Sequence, residues 1–157
     1  MKMPSPYEPL RKNRFLVRFA TQFGIAEWWC KAAARPSLEI NEVEIQFLNT
    51  SRWVLGRYTW ASVSITLRDP IGPSASQAVM EMVRMGVESV TGRMGYAAGY
   101  KKDIELEMLD PGGVVVQKWI LNDAMVTAAN FGDLSMDDDG VAEIVLTIRP
   151  DYCTLLF

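Results

Sequence analysis

The side chains whose type and spacing could support chemistry are carboxylates, because the sequence contains no histidine. That absence removes the commonest general base, the usual activator of a serine or cysteine nucleophile and the commonest imidazole metal ligand. Glu105 and Glu107 alternate along one stretch and would suit paired acid and base groups for glycoside chemistry. Acidic side chains on a wet strand face are common, however, and that reading is favoured. Asp137-Asp138-Asp139-Gly140 invites a calcium loop. Setting Asp139 and Gly140 at the fifth and sixth loop positions puts Ser135 first and Leu146 last, where an EF-hand needs an acidic ligand and a bidentate glutamate. A solvated acidic turn is the better account. Gly92-Arg93-Met94-Gly95 follows a helix signal, whereas a dinucleotide-binding loop follows a strand and opens a helix. No catalytic residue, metal ligand or cofactor is expected.

Composition narrows the class further. A chain of 157 residues fits one domain and buries enough surface to fold without disulfides or metal. Its 49% hydrophobic and 22% charged residues exclude wholesale disorder. A formal charge of −3 argues against a general nucleic-acid binder, although Arg52, Arg57, Arg93, Lys101 and Lys102 are candidates for a local basic patch. Cys30 and Cys153 are far apart and lack C-x-x-C spacing, so free or buried thiols in a reducing compartment are favoured over a disulfide. The first residues carry no apolar signal region, and no run approaches a membrane span of ~20 apolar residues. Synthesis and assembly in a cytoplasm are expected.

The elements that must position these side chains are mostly strands. Residues 1–12 contain Pro4, Pro6 and Pro9, which lack amide donors, and read as an extended arm. Asn13 to Phe19 alternates as a strand, with Glu27 to Ala33 as its expected hairpin partner and Gly24 at the turn. Leu38 to Leu48 slips in phase: Leu38 and Ile40 share one parity, and Val43, Ile45 and Phe47 the other. One extra residue near Asn41–Glu42, as in a β-bulge, would restore a single face. Thr59 to Arg68 points Ala61, Val63, Ile65 and Leu67 inward. Pro70, Gly72 and Pro73 then stop the strand, and Ser74 with Gln77 fits a capping box. One helix follows over about residues 74–91, with Val79, Met82, Val83, Gly86, Val87 and Val90 at helical spacing. Met80 and Met85 lie off that stripe and suit either a partner or core filling.

Asp103 to Met108 reads as a strand with Glu105 and Glu107 outward, and Asp110-Pro111-Gly112-Gly113 is strong turn chemistry. Val114 to Leu121, a short Met125 to Ala129 and Val141 to Arg149 complete the series, with Ala142, Ile144, Leu146 and Ile148 inward. The fold class is therefore mainly β: an antiparallel sandwich or barrel with one α-helix. The domain spans 13–152, and Cys153 to Phe157 reads as an apolar tail that docks on a neighbour or covers the core. Trp60 and Trp119 suit packing. Trp53 sits beside Arg52 in an expected loop, LNTSRWVLGRY, and aromatic and Arg anchors are enriched at protein interfaces.

Taken in order, NRFLVRF, CKAAARPSLEI, GRYTWASVSITLRD, YKKDIELEMLDPGG and RPDY give a chain that resembles the tail tube proteins of contractile-tail bacteriophages, from Asn13 to Tyr152. The resemblance implies a compact barrel related in fold to the type VI secretion tube protein. It implies hexameric rings whose inner sheets join into one barrel, stacked into a rigid tube inside a contractile sheath. The implied role is a structural, non-enzymatic virion subunit for DNA ejection, with sheath, baseplate and tail-terminator partners and DNA only in transit. Edge strands, hazards on a monomer, would pair with neighbours. A tube of a secretion or other contractile injection system, or a monomeric β-barrel binding module, are the alternatives. Arg52, Trp53, Val54, Leu55 and Arg57 are the expected ring-stacking residues. Glu39, Glu42, Glu44, Glu105, Glu107 and Glu143 are the expected acidic lumen face, since a conduit should not hold its cargo through Lys and Arg. Solvated glutamates on an outer surface are the alternative reading.

Overall fold

The fold is organised by one long strand. The computed structural model describes all residues, 1–157. Its strands are β1 (Phe15–Arg18), β2 (Cys30–Ala33), β3 (Leu38–Phe47), β4 (Thr50–Trp60), β5 (Val63–Arg68), β6 (Lys102–Leu109), β7 (Val115–Asn130), β8 (Glu143–Arg149) and β9 (Tyr152–Leu155); the helices are α1 (Ala75–Arg84) and the single turn α2 (Ala97–Tyr100). Seven strands make one antiparallel sheet in the order β1-β6-β7-β8-β5-β2, with β9 also on β7, and β3-β4 stand apart as a hairpin. The first part of β7 pairs with β6 and β9, and the part from Met125 onward pairs with β8. The strand bends between the two. Asp123 there has φ 50°, and its amide donates to the Asp103 carboxylate at 3.0 Å.

The bend folds the sheet over one core. Alternation places Val63, Ile65 and Leu67 of β5, Ile144, Leu146 and Ile148 of β8, and Ile104 and Leu106 of β6 inside. Helix α1 adds Ala75, Val79 and Met82 from its apolar stripe. Its start is capped twice: the Gln77 amide donates to Ser74 Oγ at 3.4 Å, and the Ser76 amide and hydroxyl donate to Asp69. The architecture is the mainly β body with one substantial helix that the residue pattern predicts.

Several local expectations differ from the structure. Helix α1 ends at Arg84 and does not reach residue 91, because the chain turns at Gly86 and returns against itself. The Gly95 amide donates to the Gly86 carbonyl at 2.8 Å, and a Cβ on Gly95 would lie 2.1 Å from the Met85 carbonyl oxygen. β1 and the Glu27–Ala33 segment are not hairpin partners. Burial of Phe23 and Trp29 in two short 3-10 turns separates them, so β1 pairs with β6 and β2 with β5. Ala61 and Ala142 fall just outside β5 and β8 and are exposed. Met125 to Ala129 is the far half of β7. Of the expected tail, residues 153–155 belong to β9 (Tyr152–Leu155), and Cys153 joins the core.

Replacing Gly95 by Ala forces a Cβ against backbone that cannot rotate away. Overpacking of this kind costs about 1–3 kcal/mol, and urea unfolding of the Gly95→Ala protein should show a loss in that range with an unchanged m-value.

Candidate assembly surface

The hairpin β3-β4 departs most from what a lone domain needs. Every residue from Leu38 to Thr59 is exposed, and only Trp60 at the base is partly buried. A tight turn at Leu48-Asn49, with Leu48 at φ 52°, closes it, and Thr50 Oγ1 donates to the Phe47 carbonyl at 2.8 Å. Ten residues of β3 give an arm ~34 Å long. A two-stranded hairpin is at best marginally stable alone in water, yet this one exposes Leu38, Ile40, Ile45, Phe47, Trp53 and Tyr58. Contiguous apolar exposure of this kind marks an interaction surface.

A bulge divides the arm. Ile40 pairs with Tyr58, and the next pair is Glu42 with Leu55, so Asn41 faces two residues, Gly56 and Arg57. The extra residue is on β4, not on β3 near Asn41–Glu42 as the sequence suggests. Alternation along β3 therefore runs unbroken, and its apolar series changes face. Near the base, Leu38, Ile40, Leu55, Tyr58 and Trp60 line one shallow hollow. Beyond the bulge, Val43, Ile45 and Phe47 lie on the opposite face, with Val54 across from Val43. Glycine at position 56 lets the strands approach here, since a Cβ would sit 3.0 Å from Val43 Cγ2 and 3.2 Å from the Asn41 carbonyl oxygen.

The expected stacking residues thus occupy strand β4 rather than a loop, because the turn lies earlier, at Leu48-Asn49. Trp53 and Leu55 share the face carrying Glu42 and Glu44. Val54 and Arg52 take the other, opposite Val43 and Ile45, and Arg57 sits at the bulge. All five are exposed.

The six glutamates are not brought to one face. Glu39, Glu42 and Glu44 are on the arm, and Glu143 pairs with Lys31 across β8 and β2. Glu105 lies 3.2 Å from Lys118 Nζ. Glu107, expected outward on a wet face, is only 2% exposed. It lies between Leu16 of β1 and Lys118 of β7, and the long stems of Arg18 and Lys118 cover it. Its Oε1 meets Arg18 Nη1 at 3.4 Å and Lys118 Nζ at 3.6 Å, and Arg18 Nε also reaches Glu27 at 3.0 Å. This ion-pair network was not foreseen; the pairing of Glu105 and Glu107 with Arg18 and Lys118 needs the long-range register of β1, β6 and β7.

Other candidate groups are committed locally. Lys101 of the expected basic patch is held by both Asp151 oxygens, at 2.9 and 3.0 Å, which raises its pKa. Asp138 Oδ1 accepts from the Gly140 amide at 2.9 Å as turn chemistry. No three acidic or sulfur side chains are grouped to hold a metal. Cys30 and Cys153 are both free, and burial pushes each thiol up to about 11.

No protein-family profile matches the chain, and no curated protein does. Solved structures do match. A chain of the anti-feeding prophage tube terminating cap superposes with TM-score 0.77 at 15% identity, covering 98% of this chain and 95% of that one. A chain of the sheath/tube terminator of the extracellular contractile injection system PVC gives 0.71 at 14% identity, covering 98% and 100%. Hcp1 from Flavobacterium johnsoniae gives 0.53 at 8% identity, covering 91% and 94%. At these identities the likeness is one of fold, shared with chains of tube-cap and sheath/tube-terminator assemblies.

Two outcomes follow from this chemistry. Lys118→Ala removes the partner of Glu105 and leaves the buried Glu107 with Arg18 alone, and should cost about 1–3 kcal/mol in denaturant unfolding, whereas Arg84→Ala, in an exposed pair with Glu81, should change stability by less than about 1 kcal/mol. The thiols should react slowly with iodoacetamide at pH 8 in the native protein and quickly in denaturant. Because their folded pKa values lie above the usual 9.0, thiol burial costs no stability below pH 9, and stability falls as pH rises toward about 11.

Proposed function

We propose that this chain is a tube subunit of a contractile injection system, a structural protein that polymerises through ring and stacking contacts. The observation that carries the reading is the β3-β4 arm, which exposes apolar side chains on both faces and has nothing in its own chain to cover it. A second copy is the natural cover, because a polymer buries the same surface at every repeat. Each contact should bury more than the ~1,000 Å² of a specific interface. Arg52, Trp53, Val54, Leu55 and Arg57 carry stacking in this reading, and sheath, baseplate and terminator proteins are the further partners.

In its finer form the assembly is a phage tail tube of hexameric rings through which the genome leaves. The bore must then not retain phosphate. The outer face of β1, β6 and β7 suits that wall, because its cations Arg18 and Lys118 are already neutralised by Glu27, Glu105 and Glu107. This replaces a free negative collar with a balanced one. A tube of an extracellular injection system is the second reading, favoured by the names of the assemblies that share the fold.

Negative-stain microscopy of concentrated protein should show rings or tubes. Trp53→Ala removes a large anchor and should weaken association by about 2 kcal/mol or more per contact, read by sedimentation as a shift toward a 17.6 kDa species. Tubes of normal length and stability from Trp53→Ala would assign stacking to another element.

A further inference from the structure

The two edge strands of the main sheet, β1 and β2, face each other across a seam where no ladder forms. A pocket of about 240 Å³ opens there, lined by Leu10, Phe15, Ala33, Leu106 and Met108, with Lys12 and Arg35 also on its wall. It is smaller than the roughly 300–1,000 Å³ of small-molecule sites, and its scale is that of one large side chain. Lys12 and Arg35 are exposed, and neither makes an ion pair within the chain. An apolar hole with two unspent cations fits an apolar knob flanked by carboxylates.

The arm carries such a knob. Trp53 stands directly opposite Glu44, and Glu42, opposite Leu55, lies on the same face one step closer to the base. Trp53 is 56% exposed, and neither glutamate has a cationic partner. The acceptor and the knob are set apart within one subunit. The chain leaves the pocket at Arg35 and enters the arm at Leu38, whereas Trp53 lies seven residues beyond Trp60, ~24 Å out along the arm. A knob and a hole on separate parts of one subunit allow a heterologous, head-to-tail contact, the kind that generates rings or filaments.

Resting on the tube reading, we infer that Trp53 of one copy inserts into the β1-β2 seam pocket of the next, with Glu42 and Glu44 paired to that copy's Lys12 and Arg35. The contact buries an aromatic anchor and neutralises four charges that the isolated chain leaves unpaired. It also covers the seam between β1 and β2, where no ladder forms.

Wild-type protein, mixed from ¹⁵N-labelled and unlabelled pools under assembling conditions, is treated with a carbodiimide. The reagent condenses the Lys12 amine with a Glu42 or Glu44 carboxylate, and the elements of water leave with the activated reagent. Mass spectrometry should find Lys12 joined to Glu42 or Glu44 in mixed-isotope peptides. Charge reversal gives the independent arm. Glu42→Lys with Glu44→Lys, or Lys12→Glu with Arg35→Glu, should each weaken assembly at least about tenfold, and the four changes together should restore it. Circular dichroism confirms that each variant is folded. Assembly of the wild type without the cross-link, or half-reversals that the fourfold variant does not rescue, overturns the socket and leaves the tube reading standing. A wild type that stays monomeric at every concentration overturns both.

Discussion

Strand β7 belongs to two halves of the sheet at once, and the body depends on that sharing. Sixteen residues cannot run straight and satisfy β6 and β9 at one end and β8 at the other. The turn is made at Asp123, in the left-handed region that Asp tolerates better than most residues, and the Asp103 carboxylate takes the amide that the bend removes from the ladder. On either side of it, Leu121 and Ala124 of β7 lie in the same core as β5, β8 and α1. A core packed from both halves of one sheet is stiff. In the proposed tube that stiffness suits the body, and the arm is the element left for a neighbour to cover.

The arm inverts the usual relation between hydrophobic pattern and burial. In β5 and β8 alternation buries every second side chain against the core. In β3 the same alternation has nothing to bury against, and because it runs unbroken past the bulge on β4, the apolar series passes from one face (Leu38, Ile40) to the other (Val43, Ile45, Phe47) halfway along. A hairpin that lay flat on one partner would waste half of these side chains. One that passes between partners, covered from one side near its base and from the other near its tip, buries both sets. In the proposed assembly the cost of ordering it falls on association.

Much of this was legible in the residues. The inward series of β5, β6 and β8 and the Ser74 cap follow from local periodicity and side-chain chemistry, and the structure has them in place. Long-range pairing was not legible. Nothing in Phe15 to Ala33 says that β1 and β2 lie at opposite edges, because that depends on burying Phe23 and Trp29 in the turns between them. The phase slip in β3 was visible, but a slip looks the same whichever strand carries the extra residue, and only the cross-strand register resolves it. Glu107 failed for a related reason. Parity gives the side of the sheet, not what lies over that side, and here two basic side chains from neighbouring strands do.

Some charged side chains are paired within the chain and others are not. On the body, Arg18, Lys31, Lys101 and Lys118 all have carboxylate partners within the chain. Such pairs fix side chains in place and add little attraction toward another molecule. On the arm and around the seam, Glu42, Glu44, Lys12 and Arg35 have none. Exposed charges left unpaired cost almost nothing in water, but they penalise any docking that opposes like signs by several kcal/mol. Apolar area on the arm supplies affinity without direction, since both faces are greasy and many registers would bury them. In the proposed assembly, opposite charges at the knob and at the rim of its hole restrict that choice, so one repeated contact can keep one register along the polymer.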